Sequence, residues 1–333
     1  MANRFLDLLA AKPYLLADGA MGTNLFALGL PNGGCPELWN VEQPAKVQSV
    51  HAAFIEAGSD IVLTNSFGGT RYRLKLHEAE GRVAELNRAA ARNARAAADA
   101  AGRPVAVAGS MGPTGELFEP LGTLTHAAAV EAFAEQAAAL AEGGSDVLWV
   151  ETMSSREEVA AAVAGAQTTG LPVVATMTFD TNGRTMMGLQ PADAVGVYHA
   201  AHPGLAAYGA NCGNGAGELV AAVLGLSAAA APGDVIVAKG NCGIPAFVDG
   251  HIHYTGTPEV MAEYAVLARS AGARIIGGCC GSTALHVRAM AQALAAAPPR
   301  QRPTLAEVEA ALGLNRAAGP SGDAPQRRSR RRA

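Results

Sequence analysis

Aromatic side chains make up only 5% of this 333-residue chain, and charged ones only 16%. So thin an aromatic supply argues against a β-sandwich core. A 50% hydrophobic, Ala-dominated composition suits helices packed on a parallel sheet instead. Positive charge is not in excess either. The formal net charge is -4, which excludes a general pull toward nucleic acid or an anionic membrane surface. No uninterrupted apolar run reaches the roughly 20 residues that cross a bilayer. The opening "MANRFLDLLAAKP" is broken by Asp7 before it can form a secretory signal. A cytoplasmic location is therefore expected, where thiols stay reduced. Cysteine is scarce and odd in number, at five, which argues against a disulfide framework and leaves metal binding or catalysis open.

What the chain does have is alternation. Short apolar runs recur: "YLLADGAMGT" from Tyr14, "DIVLTNSF" from Asp60, "PVAVAGSMGPTG" from Pro104 and "DVLWVETM" from Asp146. They continue with "PVVATMTFD" from Pro172, "LAAYGANCG" from Leu205, "DVIVAKGNCG" from Asp234 and "ARIIGGCCGS" from Ala273. Between them lie stretches of helical spacing such as "PAKVQSVHAAFIEAG" and "AAAVEAFAEQAAALAEGG", ending in glycine as helices often do. Eight strand–helix units predict an α/β fold, a (β/α)8 TIM barrel over residues 1–300. A doubly wound open sheet is the runner-up, but it lacks an early nucleotide-binding fingerprint. A C-terminal helix is expected over 301–315, within "TLAEVEAALGL", and a disordered basic tail over 316–333. Arg88, Arg92 and Arg95 read as a solvated helix face.

Barrel enzymes place their sites at the C-terminal strand ends. Here those ends bear Asp18, Asn65, Ser110, Glu151, Thr178, Asn211 with Cys212, Lys239 through Cys242, and Cys279 with Cys280. Four of the five cysteines thus fall on one rim. In a reduced compartment such convergence suggests zinc held by Cys212, Cys279 and Cys280. Gly277, Gly278 and Gly281 are expected to free the backbone so that both adjacent thiols face one ion. Three protein ligands leave an open position, the mark of a catalytic site. Cys242 as a fourth would close it, although a neighbouring role is expected; Cys35 reads as incidental. Zinc on three thiolates suits the binding and deprotonation of a substrate thiol better than water activation. Asp18 and Glu151 fit the ammonium of an amino-acid substrate, and the amides of "DGAMGT", beginning with Gly19, fit its carboxylate. His251 and His253 in "DGHIHY" read as a surface loop, and His286 as the first turn of the last barrel helix.

"DGAMGT", "ETM", "GANC" and "GGCCG" resemble the homocysteine S-methyltransferases, a group that includes the N-terminal module of cobalamin-dependent methionine synthase and betaine–homocysteine methyltransferase. The resemblance runs from about Leu15 to Ala295. It implies a zinc-dependent S-methyltransferase that converts homocysteine to methionine. It further implies Zn2+ on Cys212, Cys279 and Cys280, with Asp18 and Glu151 at the homocysteine amino group. The betaine enzymes cradle their donor with aromatic side chains. By this likeness the matching positions are Cys35, Gly68 and Thr152, with Phe67 retained and Trp39 and Tyr72 nearby. A methylcorrinoid on a separate protein is the expected donor, and betaine or a sulfonium compound the alternative. No nucleic-acid or membrane partner is expected. Two other readings stand beside these: a non-catalytic zinc-binding barrel closed by Cys242, and a Gly-rich phosphate grip at "GGCCGS" that thiolates would disfavour.

Overall fold

The computed structural model describes residues 3–243, 246–248, 251–296, 298 and 300–314, without the side chains of 246–248 and 251–253. The strands are β1 Leu15–Leu16, β2 Ile61–Leu63, β3 Ala106–Met111, β4 Val147–Met153, β5 Val173–Met177, β6 Ala207–Cys212 and β7 Ile236–Gly240. A short antiparallel hairpin, β8 Ala246–Val248 with β9 His251–His253, precedes β10 Ala273–Gly278. The eight-stranded sheet runs β1-β10-β7-β6-β5-β4-β3-β2, and its ladders are parallel. A parallel bridge from Ala17 to Ile61 joins β1 to β2, which closes the (β/α)8 barrel that the alternation predicts.

Two apolar layers hold it. Inside, Leu15, Ile61, Ala108, Val147, Trp149, Val174, Val237 and Ile275 form one buried cluster. Phe5 and Leu8 of the helix Arg4–Ala11 join that cluster and plug one end of the barrel. The opposite strand faces pack on the helices through Val62, Val107, Leu148, Val150 and Ala210. Period-2 alternation therefore decides what reaches the mouth. Continuing the inward phase from Ala108, Trp149, Ala207 and Val237 brings Ser110, Glu151, Asn211 and Lys239 to the inner face.

Local chemistry explains the helices. Pro44, Pro191 and Pro258 each open one, Thr125 and Ser155 cap two others with side-chain oxygens, and Thr257 caps the helix that Pro258 opens. The helix Leu305–Leu312 starts with a capping box of Thr304 and Glu307, and its Val308 is fully buried against the barrel helices. The tail at 316–333 lies outside the described residues. Arg95 is not part of a solvated face. It is half-buried, donating to the Val105 carbonyl and Asp146, where it ties a helix to the strand starts. Arg92 is exposed and Arg88 pairs with Glu142. His251 and His253 belong to the hairpin rather than a loop, and their side chains lie outside the description. Among the described residues no helix is long and apolar enough to cross a membrane.

Candidate metal centre and acceptor pocket

A cavity of about 560 Å³ opens at the C-terminal strand ends. Asp18, Glu151, Lys239, Cys212, Cys279 and Cys280 all line it. The three thiol sulfurs lie within 4.8 Å of one another. One ion bound tetrahedrally at Zn–S distances of about 2.3 Å needs its sulfurs about 3.8 Å apart, so the cluster fits a thiophilic metal. The thiols also bond to each other. Cys212 accepts from Cys279, Cys280 and Asn241, which draws its pKa down to about 3. Cys279 is pushed up to about 12, chiefly by Cys212, and Cys280 is also raised. The mutual hydrogen bonds thus favour the Cys212 thiolate over the other two.

The backbone does most of the aiming. Cys212 follows the inward Asn211 and in regular strand geometry would point outward. It adopts φ +65° instead and lines the cavity. Thr152, one residue after the inward Glu151, does the same at φ +63°. Left-handed backbone costs a non-glycine residue about 1–3 kcal/mol, so both turns need restraint. Asn211 supplies it at Thr152: Oδ1 accepts from the Thr152 amide at 2.8 Å, and Nδ2 donates to Thr152 Oγ1 at 2.7 Å. Thr176 Oγ1 donates to the same Oδ1 at 2.6 Å.

Asn241 restrains the rim in a similar way. Its Nδ2 donates to the Gly213 carbonyl at 2.6 Å and reaches Cys212 Sγ at 3.5 Å. Its Oδ1 accepts from the Cys280 amide at 2.9 Å. The working residue of "GNCG" is thus the asparagine. Cys242 is fully buried and its Sγ lies 3.3 Å from Ser282 Oγ, away from the three-thiol cluster. Burial pushes its thiol up to about 11. Its expected role as neighbour fits that position. Cys35 is buried against Glu37 at 3.2 Å, outside the cluster.

The glycines of "GGCCG" divide their work differently from the expectation. Only Gly281 is left-handed, at φ +80°, and a Cβ there would collide with the Tyr254 ring. Gly277 serves close approach: a Cβ would sit 2.9 Å from that of Ala17. Left-handed freedom on the other jaw comes from Cys212 and Gly213.

The pocket floor is charged yet almost dry. Asp18 Oδ1 accepts from Lys239 Nζ at 2.9 Å, and Oδ2 accepts from the Leu63 amide at 2.7 Å. Glu151 Oε1 accepts from Ser110 Oγ at 2.5 Å. Burial pushes Glu151 up to about 7 despite the pull of Lys239. Burial also raises Asp18 against the lowering effect of Lys239. In Lys239 burial favours loss of the proton, but Asp18 and Glu151 overcome it and hold the ammonium above its ordinary range. Nothing local in the sequence shows that Lys239, at the end of its strand, meets Asp18. Gly19 lines the cavity, as does Thr23, whose buried hydroxyl has no hydrogen-bond partner among the described residues. His286 begins the last barrel helix as expected, with Nδ1 2.9 Å from Thr283 Oγ1 and Nε2 3.1 Å from the Gly256 carbonyl.

Farther out the cavity meets Phe26, Phe67, Gly68, Thr152, Arg73 and His77. Trp39 does not line it: the ring is buried in the core with the Lys46 ammonium 4.5 Å above it.

These features define a closed (β/α)8 barrel with a three-thiol cluster and a buried ion pair at its mouth. Residues 15–294 match the family described as Homocysteine S-methyltransferase, and the chain belongs to that family. It is 32% identical over 308 residues to the methionine synthase of Mycobacterium tuberculosis, across 87% of this chain and 25% of that protein. It is 31% identical over 303 residues to the methionine synthase of Mycobacterium leprae, across 86% of this chain and 24% of that one. The chain therefore spans about a quarter of the length of these relatives. Among solved structures it resembles the metallated form of the homocysteine methyltransferase MmuM from Escherichia coli. There the TM-score is 0.70 at 26% identity, covering 86% of this chain and 99% of that one.

Proposed function

We propose that this chain is a zinc-dependent S-methyltransferase that transfers a methyl group to homocysteine, giving methionine, with a methylcorrinoid on a separate protein as donor. The observation behind this reading is the convergence of Cys212, Cys279 and Cys280 within 4.8 Å at a cavity whose floor bears Asp18 and Glu151. Those three thiolates would hold the ion. When bound, Zn2+ supplies the acidity that keeps a substrate thiol deprotonated and nucleophilic near neutral pH.

The chain's own residues do the rest. Cys212 and the Cys279–Cys280 pair approach from β6 and from the end of β10, on either side of β7, so the site is held by strands rather than by one mobile loop. Asp18 and Glu151 supply negative charge for the amino-acid ammonium. The segment from Gly19 to Thr23, with its unpartnered Thr23 hydroxyl, offers donors to the carboxylate. Fixing both ends of the acceptor aims its sulfur at the open cavity, and such orientation contributes much of the rate. Cys242 faces Ser282, which favours a three-ligand open site over a closed non-catalytic one.

The outer wall bears on the donor. It has Arg73 and His77, while its carboxylate, Glu37, already accepts from the Gly68 amide at 2.6 Å and lies 3.2 Å from Cys35 Sγ. A quaternary ammonium or sulfonium would meet the Arg73 guanidinium there, with Phe26 and Phe67 as aromatic neighbours, and that like charge disfavours a cationic methyl group. The test is a donor screen on the zinc-loaded chain, following methionine formed from homocysteine. Turnover is expected with methylcobalamin or a methylated corrinoid protein. Betaine, S-methylmethionine and dimethyl sulfonium donors should give none. Faster turnover with any of those three would replace the donor assignment.

A further inference from the structure

Lys239 has no role in the reaction just proposed, yet it sits in the acceptor cavity. It is buried to 3% side-chain exposure and directed by the inward phase of β7 onto Asp18, 221 residues earlier in the chain. Its ammonium also stands 5.8 Å from the centroid of the buried Trp149 ring. An ion pair so completely dehydrated needs good geometry to persist. Asp18 provides it, with one oxygen on the ammonium and the other on the Leu63 amide.

Glu151 is placed differently. Oε1 accepts from Ser110, and among the described residues no protein hydrogen bond reaches Oε2. The floor therefore has two carboxylates and one resident ammonium, a charge that one further ammonium would balance. We infer that Lys239 is the resident counter-ion of Asp18, which leaves Glu151 as the carboxylate that reads the ammonium of an incoming aminothiol acid. Lys239 is thus a positioning residue. It keeps Asp18 as wall and prevents two carboxylates from competing for one ligand group. This rests on the homocysteine reading and divides the labour that reading gives to Asp18 and Glu151.

The consequence is a selectivity pattern with signs. Removing Asp18 alone leaves the Lys239 ammonium to pair with Glu151, which blanks the ammonium reader and invites an anion. Removing both charges frees Glu151 again. The measurement is calorimetric binding of L-homocysteine and of 4-mercaptobutyrate, which lacks the amine, to the zinc-loaded full chain. D18N should lose about tenfold of the wild-type preference for homocysteine, an amount typical of one misplaced charge pair. D18N/K239M should recover most of that loss, and K239M alone should keep at least the wild-type preference. The double variant removes both members of the buried pair together, so it remains informative if K239M does not fold. Failure of D18N/K239M to restore the preference overturns the assignment, as does loss of preference in a folded K239M. If the wild-type protein binds neither thiol, the homocysteine reading falls and this inference with it; any other failure removes only the role of Lys239.

Discussion

Two buried aspartates mark opposite ends of this barrel. At the mouth, Asp18 pairs with Lys239, and both side chains are within 3% of complete burial. At the other end Asp60, just before β2, pairs with Lys12 at 2.6 Å and Arg103 at 3.5 Å, and accepts from the Leu16 amide at 3.1 Å. Asp60 is as dry as Asp18, but its cations are not: Lys12 is 46% exposed and Arg103 35%. Solvated partners make the lower cluster a clasp that ties the chain entering β1 to the chain entering β2. The upper pair is sealed, faces a cavity and stands among three thiols. Similar chemistry is therefore half-solvated at one end and sealed beside a cavity at the other, and barrels generally keep their stabilising contacts at the first face and their sites at the second.

Substitutions should separate the two ends. The largest effect is expected at the mouth: Cys280→Ala should abolish stoichiometric zinc and lower kcat/KM by more than about 100-fold, because even residues behind a ligand cost up to that much. Metal analysis and steady-state assays check it; full zinc and full turnover would break the ligand assignment. At the far end, Asp60→Ala should destabilise the fold by about 2–3 kcal/mol, somewhat less than a pair with both partners buried. Its kcat/KM at 25 °C should stay within about twofold, since nothing it touches lines the cavity. Urea unfolding beside an assay would show whether the stability and activity losses part company.

Asn241→Ala sharpens the comparison by loosening the rim without removing a ligand. Zinc affinity should fall about 10- to 100-fold, read by competition with a chromophoric chelator. The smallest effect belongs to Cys242→Ala. Losing one buried sulfur should cost about 1 kcal/mol and leave one zinc per chain with unchanged affinity. A drop in stoichiometry would reinstate Cys242 as a ligand and close the site.

Much of this was legible beforehand, for identifiable reasons. Each strand announces itself in a run such as "DVLWVETM", because a strand covered on both faces must be apolar throughout. The mouth could be listed from the last residues of those runs, since parallel strands end on one side. The sequence did not disclose which rim side chains face one another. "GNCG" offers a cysteine and an asparagine, and thiol chemistry alone favours the cysteine, although Asn241 clamps Cys212 and Cys280 while Cys242 turns to Ser282. Arg88, Arg92 and Arg95 looked alike at helical spacing, yet Arg95 alone of the three reaches Asp146. Glycine content suggested where backbone freedom lies, but two of the decisive left-handed turns fall on Thr152 and Cys212.

By itself the sequence determined the number and direction of the barrel strands, the residue types at the mouth and the family, because these depend on burial pattern and local spacing. Only the tertiary structure decided that Lys239 meets Asp18 and that Cys212 turns inward against its strand phase. Among the described residues, it also decided that Glu151 keeps one oxygen free of protein hydrogen bonds. Those outcomes depend on backbone dihedrals and on contacts between elements far apart in the chain, and no local pattern of residues encodes them.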